Sequence, residues 1–172
     1  MIEKIGIIGA GQMGNGIAHV AAVAGCSVVL LDLDQQRIDA GLETITQNLA
    51  RQVRRNLLSE SDRSAAFDRI STTLDYANFG ECDFVIETAA EDEAVKREIF
   101  KTLIPHLSET ALIASNTSSI SITRLATTTD RPERFIGMHF MNPVPMMDLV
   151  ELIRGLATSE ETYQEVRTLA KR

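Results

Sequence analysis

The chain opens with short apolar runs that flank one helical pattern. The run from Ile5 to Ile8 is too short for a helix and rich in β-branched side chains, which is typical of a strand buried on both faces. An apolar helical pattern then extends to Gly25, and a second apolar run starts at Val28 and ends at Asp32. This order predicts a strand, a helix and a second strand.

The same alternation continues along the rest of the chain. A long helical pattern follows Asp34, which is a suitable N-cap, another begins at Glu91, and the polar stretch 59–68 fits a short surface helix or a loop. Further strands are predicted at 70–74, 84–86, 111–114, 135–140 and 149–153. Strands that alternate with helices predict an α/β fold of the Rossmann type, a doubly wound and mostly parallel sheet with helices on both faces.

Three glycines join the first predicted strand to the first helix. Gly9, Gly11 and Gly14 have the spacing of a dinucleotide-binding turn: the first permits the turn, the second lets a pyrophosphate approach, and the third lets helix pack on strand. Asp32 follows at about the expected 20 residues and can accept a hydrogen bond from a ribose 2′-hydroxyl. Since positions 33–36 hold no arginine, the sequence predicts NAD rather than NADP. In the alternative, Asp32 only begins a loop.

Composition limits the function further. A chain of 172 residues, 44% hydrophobic and 24% charged, fits one soluble domain, and its net charge of −7 argues against a nucleic-acid partner. Cys26 and Cys82 follow no metal or redox spacing, so no metal site is predicted, and the N-terminus has no signal-peptide pattern. We therefore expect a cytoplasmic protein that binds neither nucleic acid nor a membrane.

One polar turn lies where a doubly wound sheet binds its ligands, beyond the carboxyl ends of the strands. Residues 115–119 read Ser-Asn-Thr-Ser-Ser and supply five hydrogen-bonding side chains after a predicted strand. The alternative is a turn that only caps the following helix.

A histidine and an acid could form a proton-transfer pair. His139 ends a predicted strand, and Glu151 lies twelve residues later on a strand that could return alongside it. A carboxylate bonded to one imidazole nitrogen fixes the tautomer and leaves the other nitrogen to take a hydroxyl proton, as the oxidation of an alcohol requires. The alternatives are a core histidine and an exposed strand glutamate, although the apolar neighbours of Glu151 favour its burial.

The end of the long helical pattern carries three cations, Arg51, Arg54 and Arg55. They either form a solvated helix end that complements the helix dipole, or contact the phosphate of a substrate.

The final segment predicts another helix. Residues 158–161 read Thr-Ser-Glu-Glu, which has the pattern of a capping box, and the amphipathic helix that they open is still running at Arg172. From this we expect the chain to be a fragment, or to be continued by a second domain.

Three of these segments together resemble the L-3-hydroxyacyl-CoA dehydrogenase family. They are the turn 9–14 with Asp32, the turn 115–119, and above all the run 139–145, His-Phe-Met-Asn-Pro-Val-Pro, followed by Leu-Val-Glu at 149–151. The resemblance covers essentially the whole chain. It implies that residues 1–172 form the NAD-binding domain of an enzyme that interconverts L-3-hydroxyacyl-CoA and 3-oxoacyl-CoA, so that the substrate is an acyl-CoA.

The family also has a C-terminal helical domain that is absent from this chain. That domain closes the substrate cleft and mediates dimerisation, so the resemblance implies a full-length homodimer. We expect the chain without it to bind NAD but to catalyse poorly, because the pocket would lack a wall and admit water.

The resemblance also implies roles for individual residues. His139 matches the catalytic base, Glu151 the acid that orients it, and Ser118 a serine that hydrogen-bonds the substrate. The cofactor-binding residues expected from the motifs and the resemblance are Gly9, Gly11, Gln12, Met13, Gly14, Asp32, Glu91, Lys96, Asn116 and Asn142. The substrate-binding residues expected are Ser118, Lys96, Arg51, Arg54 and Arg55. Met141 stands where the family often has an aromatic residue and Asp148 where it often has Lys, which leaves the acyl-chain preference open.

Two other functions are weighed against this one. A relative with the same His–Glu pair could oxidise a different hydroxy acid, such as a sugar acid. A non-catalytic NAD-binding or structural relative could keep the fold alone, but it would have no need for a proton-transfer pair.

Overall fold

The chain forms seven strands and six α-helices, and a computed structural model describes all residues, 1–172. The strands are β1 (Lys4–Ile8), β2 (Ser27–Leu31), β3 (Ile70–Thr73), β4 (Phe84–Glu87), β5 (Leu112–Ser115), β6 (Phe135–Phe140) and β7 (Val150–Arg154). The helices are α1 (Gln12–Val23), α2 (Gln35–Arg54), α3 (Glu60–Asp68), α4 (Glu93–Leu103), α5 (Ile122–Ala126) and α6 (Glu160–Ala170). No helix is both long enough and apolar enough to cross a bilayer.

The strands form one sheet in the order β3-β2-β1-β4-β5-β6-β7. The first six are parallel, and β7 runs antiparallel to β6. The predicted mostly parallel, doubly wound sheet is therefore confirmed. The strand order reverses between β1 and β4, and a crevice opens at such a reversal beyond the carboxyl ends of the strands.

The predicted helices on both faces are also confirmed. On one face, α1 and α6 cover the sheet, and α2 and α3 pack on α1. On the other face, α4 and α5 pack over a second cluster of buried apolar side chains. Both faces of the inner strands are thus shielded from water, which explains their continuous apolar runs.

The register of the sheet brings several chain segments to one edge. Ile8, Glu87, Ser115 and Gly137 pair in one row across β1, β4, β5 and β6. β1, β4 and β5 end at this row, whereas β6 continues to Phe140, and His139 lies two residues beyond Gly137. Since side chains alternate along a strand, His139 shares the sheet face of Glu87 and Ser115.

The predicted helix α6 is present, but the expected capping box of Thr158 and Glu161 is wrong. Ser159 is the N-cap, and its hydroxyl oxygen accepts the N–H of Thr162 at 3.1 Å. Thr158 instead donates its hydroxyl to the carbonyl oxygen of Phe135 at 2.7 Å. The side chain of Thr158 therefore ties the loop to β6 rather than capping the helix.

Candidate active site

The glycine turn between β1 and α1 is closely packed on one side and open on the other. Gly9 has φ +102°, in the left-handed region that favours glycine. A Cβ atom on Gly14 would lie 1.7 Å from the carbonyl oxygen of Gly9, whereas a Cβ on Gly11 would have no atom within 4 Å. The helix thus needs glycine at 14 to approach the strand, and the backbone at Gly11 is accessible to a ligand.

The N-terminus of α1 suits an anion. It has no side-chain cap and no acidic residue in its first turn, so its free N–H groups and the helix dipole favour negative charge. Gln12 is exposed, and Met13 packs at the rim of the core. The open backbone and the uncapped helix together fit the pyrophosphate of a dinucleotide.

Asp32 lies directly after β2, next to this turn. Its Oδ2 accepts the N–H of Ala10 at 2.7 Å, and its Oδ1 accepts its neighbour's N–H. Positions 33–36 hold no arginine, but the first turn of α2 brings the guanidinium of Arg37 to 4.0 Å from the carboxylate of Asp32 and 3.2 Å from that of Asp34. Two carboxylates against one guanidinium leave this rim negative, which still opposes a 2′-phosphate.

His139 and Glu151 face each other across the antiparallel pair β6 and β7. They are register partners, and His139 Nδ1 lies 2.8 Å from Glu151 Oε2. The histidine side chain is 22% exposed and the glutamate side chain 53%. The expected burial of Glu151 is therefore wrong, because β7 is an edge strand and no element of this chain covers Glu151. The expected pairing of the two side chains is present.

Asn116 connects the serine-rich turn to the strand of His139. Its Oδ1 accepts the N–H of Phe140 at 2.8 Å, which joins the ends of β5 and β6. The alternative that this turn caps the next helix is wrong, since Ser121 is the N-cap of α5. The turn is therefore positioned by other contacts.

Glu91 provides most of those contacts. Its Oε1 accepts the N–H groups of Ser118 at 3.0 Å and Ser119 at 3.2 Å, together with the hydroxyls of Thr117 and Ser119. Burial of the Glu91 carboxyl group works against its ionisation, but the hydrogen bonds from Thr117 and Ser119 and the charge of Lys96 outweigh it and lower its pKa. One ionised carboxylate thus organises the turn.

Lys96 is buried inside the protein, which differs from the expectation that its side chain contacts ligands. The helical pattern assigned Val95 to the buried face of α4, and the resemblance assigned Lys96 to cofactor and substrate contacts. In the structure Val95 is 44% exposed and Lys96 only 1%. The ammonium of Lys96 donates to both oxygens of Glu87, at 2.8 and 3.0 Å, and to the carbonyl oxygen of Ala89 at 3.3 Å, so all three of its donors have partners within the chain.

Glu87 is a residue of the site to which the sequence assigned no role of its own. It is fully buried at the end of β4, beside the crevice. Its signal in the sequence was an acid directly after an apolar strand, the same signal that singled out Asp32.

The cations at the end of α2 are free. Arg51, Arg54 and Arg55 are exposed, and none forms an ion pair or a side-chain hydrogen bond within the chain. Asn142, in the loop after β6, is likewise exposed. These four side chains are available to a ligand.

An apolar cavity lies away from His139. It has a volume of about 330 Å³, and its lining includes Val20 of α1, Met138 and Phe140 of β6, and Leu169 of α6. Met138 and Phe140 face this cavity, so His139, which alternates with them, points to the other side of the sheet.

A family model described as "3-hydroxyacyl-CoA dehydrogenase, NAD binding domain" matches residues 4–172. Curated relatives include a 3-hydroxybutyryl-CoA dehydrogenase of Bradyrhizobium diazoefficiens, 57% identical over 95% of this chain and 56% of its own length. A probable 3-hydroxybutyryl-CoA dehydrogenase of Bacillus subtilis is 47% identical over 99% of this chain and 60% of its own length.

Solved structures agree with these matches. The crystal structure of (S)-3-hydroxybutyryl-CoA dehydrogenase from Ralstonia eutropha superposes with a TM-score of 0.97 at 47% identity, and the match covers 99% of this chain and 60% of that one. The chain thus spans roughly three-fifths of the length of these relatives.

Proposed function

The chain belongs to the 3-hydroxyacyl-CoA dehydrogenase family as an NAD-binding domain, and from this premise we propose that the protein interconverts an L-3-hydroxyacyl-CoA and a 3-oxoacyl-CoA. NAD, when bound, supplies the hydride acceptor of the oxidation and the hydride donor of the reverse reaction. The observation that carries the proposal is the 2.8 Å contact between His139 Nδ1 and Glu151 Oε2.

His139 acts as the base in the oxidative direction. Its Nδ1 is held by Glu151, and its Nε2 has no partner within the chain. Nε2 is therefore free to take the proton of the substrate hydroxyl, and the carboxylate of Glu151 then stabilises the positive charge on the ring. In the reductive direction the protonated ring returns that proton to the carbonyl oxygen.

Ser118 orients the substrate oxygen. Its backbone N–H is fixed by Glu91, whereas its hydroxyl lies 3.4 Å from the same carboxylate oxygen, a long and weak contact. The hydroxyl can therefore turn to donate to the substrate while the backbone stays in place.

Four features support the binding mode of NAD. The open backbone at Gly11 and the uncapped end of α1 would hold the pyrophosphate, and Asp32 would accept a ribose hydroxyl. The amide of Asn116 and the side chain of Asn142, both at the carboxyl edge near His139, would line the remainder of the cofactor site.

The cations of α2 would bind the phosphates of coenzyme A. An acidic protein repels a phosphorylated ligand overall, so three free arginines within five positions are a local exception. Guanidinium groups form charge-assisted bonds to phosphate oxygens.

The setting of the protein is also part of the proposal. We propose that the enzyme is cytoplasmic, and from the family resemblance we infer that it forms a homodimer through the family's C-terminal helical domain. Light scattering tests the dimer: the natural full-length protein should be dimeric and this chain monomeric. A monomeric full-length protein would contradict it.

Oxidation of NADH by acetoacetyl-CoA, followed by absorbance in the natural full-length protein, tests the activity. His139→Gln should lower turnover by about 10²–10⁴-fold while NADH affinity stays within a few-fold, because a general base contributes about that much. His106→Gln, at an exposed histidine, is the matched control and should change neither. If His139→Gln also abolishes NADH binding, the histidine is structural and the proposed mechanism fails.

A further inference from the structure

We propose that Glu87 is a positioning residue of this reaction, which fixes the turn bearing Ser118 through Lys96 and Glu91. The inference rests on the proposed function in one respect, the contact of Ser118 with substrate. Neither the motifs nor the family resemblance assigns a role to Glu87.

Glu87 is saturated with donors. Its Oε1 accepts the N–H of Ala89 at 2.6 Å and the ammonium of Lys96 at 2.8 Å, and its Oε2 accepts the hydroxyl of Ser115 at 2.6 Å and the same ammonium at 3.0 Å. With no exposed surface, it cannot itself contact a ligand. Glu87 can therefore affect the site only through the groups that it holds by hydrogen bonds.

Lys96 connects Glu87 to a second carboxylate, that of Glu91. The buried ammonium also donates to the carbonyl oxygen of Ala89 at 3.3 Å and lies 3.6 Å from Oε2 of Glu91. The other oxygen of Glu91 is the one that holds the N–H groups of Ser118 and Ser119. A single carboxylate thus links the buried ion pair to the turn.

The charges explain why Glu87 is needed. Two carboxylates, Glu87 and Glu91, face one ammonium, and Glu87 neutralises it at the shorter distance. Without the charge of Glu87, the buried ammonium would have Glu91 as its only counter-ion, and a buried charge without a partner is strongly unfavourable. Glu91 would then be drawn toward Lys96 and away from the turn.

Glu87→Gln in the natural full-length protein tests this chain of contacts, since it keeps the shape and removes the charge. We expect kcat with acetoacetyl-CoA to fall by about 10²-fold, the scale of a misplacement of roughly 1 Å, with NADH affinity within about threefold. The double variant Glu87→Gln/Lys96→Met removes both charges and should recover a large part of the lost kcat.

Glu98→Gln is the matched control. Glu98 lies on α4, is exposed, and pairs with an exposed lysine, Lys101. The same substitution there removes an ion pair outside the network and should leave kcat unchanged.

Hydrogen exchange separates this inference from the proposed activity. The amides of Ser118 and Ser119 should exchange at least about tenfold faster in Glu87→Gln than in the wild type, and at the wild-type rate in Glu98→Gln, because exchange follows local opening. If the wild type does not turn over acetoacetyl-CoA, the proposed function fails, and the exchange rates still decide whether Glu87 fixes the turn.

Two outcomes would overturn the inference. One is wild-type exchange at both amides in Glu87→Gln, and the other is a wild-type kcat in that variant. Should Glu87→Gln fail to fold, Ser115→Ala removes one donor to Glu87 without stranding a charge; it should lower kcat by about fivefold, the scale of one hydrogen bond, and an unchanged kcat would count against the proposal.

Discussion

The carbonyl oxygen of Gly9 occupies the space that a side chain on Gly14 would need. A Cβ atom there would lie 1.7 Å from that oxygen, far inside van der Waals contact. The hydroxyl of Thr88 donates to the carbonyl oxygens of Ile8 at 2.8 Å and Gly9 at 3.2 Å, and the Asn15 amide donates to that of Gly11 at 2.7 Å. The turn is therefore held by the chain itself.

Gly14→Ala and Gly11→Ala should consequently fail in different ways. Gly14→Ala should lower the free energy of unfolding by about 1–3 kcal/mol, because the helix must move away from the strand. Gly11→Ala has open space around it, so its melting temperature should match the wild type while NADH affinity falls by about tenfold or more. Thermal unfolding and NADH fluorescence titration measure the two effects. Equal loss of stability in both variants would contradict the proposal that the open space beside Gly11 binds the cofactor.

Asp32→Asn should change the choice of cofactor. The amide keeps an acceptor for the N–H of Ala10 but removes the charge that opposes a 2′-phosphate, and it leaves Arg37 nearby. We expect the affinity ratio of NADH to NADPH to fall by at least about tenfold, since hydrogen bonds to charged groups contribute about 1.5–3 kcal/mol.

Asp39→Asn on the exposed face of α2 is the control for that change and should leave the ratio unaltered. An unchanged ratio in Asp32→Asn would show that Asp32 serves the glycine turn alone.

The fold could be predicted from local patterns because apolar side chains repeat with a different period in helices and in strands. The apolar runs at β1, β2 and β4 and the glycine turn need no long-range information, and the approach of Glu151 to His139 follows once β7 returns beside β6. Those features were predicted from the sequence and are present in the structure.

What could not be predicted depends on contacts between distant positions. Periodicity alone assigns Val95 to the buried face of α4, whereas in the structure Lys96 is the buried residue, because it pairs with the buried carboxylate of Glu87 at the end of β4. Arg37 reaches Asp32 from the first turn of α2, a contact that the lack of arginine at positions 33–36 did not predict. Such reversals occur where a site places charge inside the protein.

The arginines at the end of α2 should bind substrate rather than cofactor. Arg55→Gln alone should raise the KM for acetoacetyl-CoA by about two- to fivefold, the scale of one exposed charge contact, and the Arg51, Arg54 and Arg55 triple variant should raise it by at least about tenfold. The KM for NADH should not change. The effect should shrink at high salt, because salt screens exposed charges.

Arg167→Gln, at an exposed arginine of α6, is the control for the basic cluster and should leave both KM values unchanged. If the triple variant keeps the wild-type KM for acetoacetyl-CoA, the three arginines form only a solvated helix end.

His19 should make the fold sensitive to acid. It is 1% exposed on α1; its Nε2 lies 3.0 Å from Gln52 Oε1, and its Nδ1 has no partner. Burial lowers the pKa of His19, outweighing the hydrogen bond with Gln52. The unfolded chain therefore binds more protons than the folded one below about pH 6.5, and stability falls as the pH drops through this range.

Urea unfolding between pH 7.5 and 5.5 measures that dependence. One proton corresponds to at most about 1.4 kcal/mol per pH unit, so removing His19 should reduce the slope by a part of this value. We expect His19→Gln to have a shallower slope than the wild type, and His106→Gln, at an exposed histidine, to keep the wild-type slope. Equal slopes in all three proteins would mean that protonation of His19 does not lower the free energy of unfolding. That result would contradict the prediction made from its buried and unpartnered Nδ1.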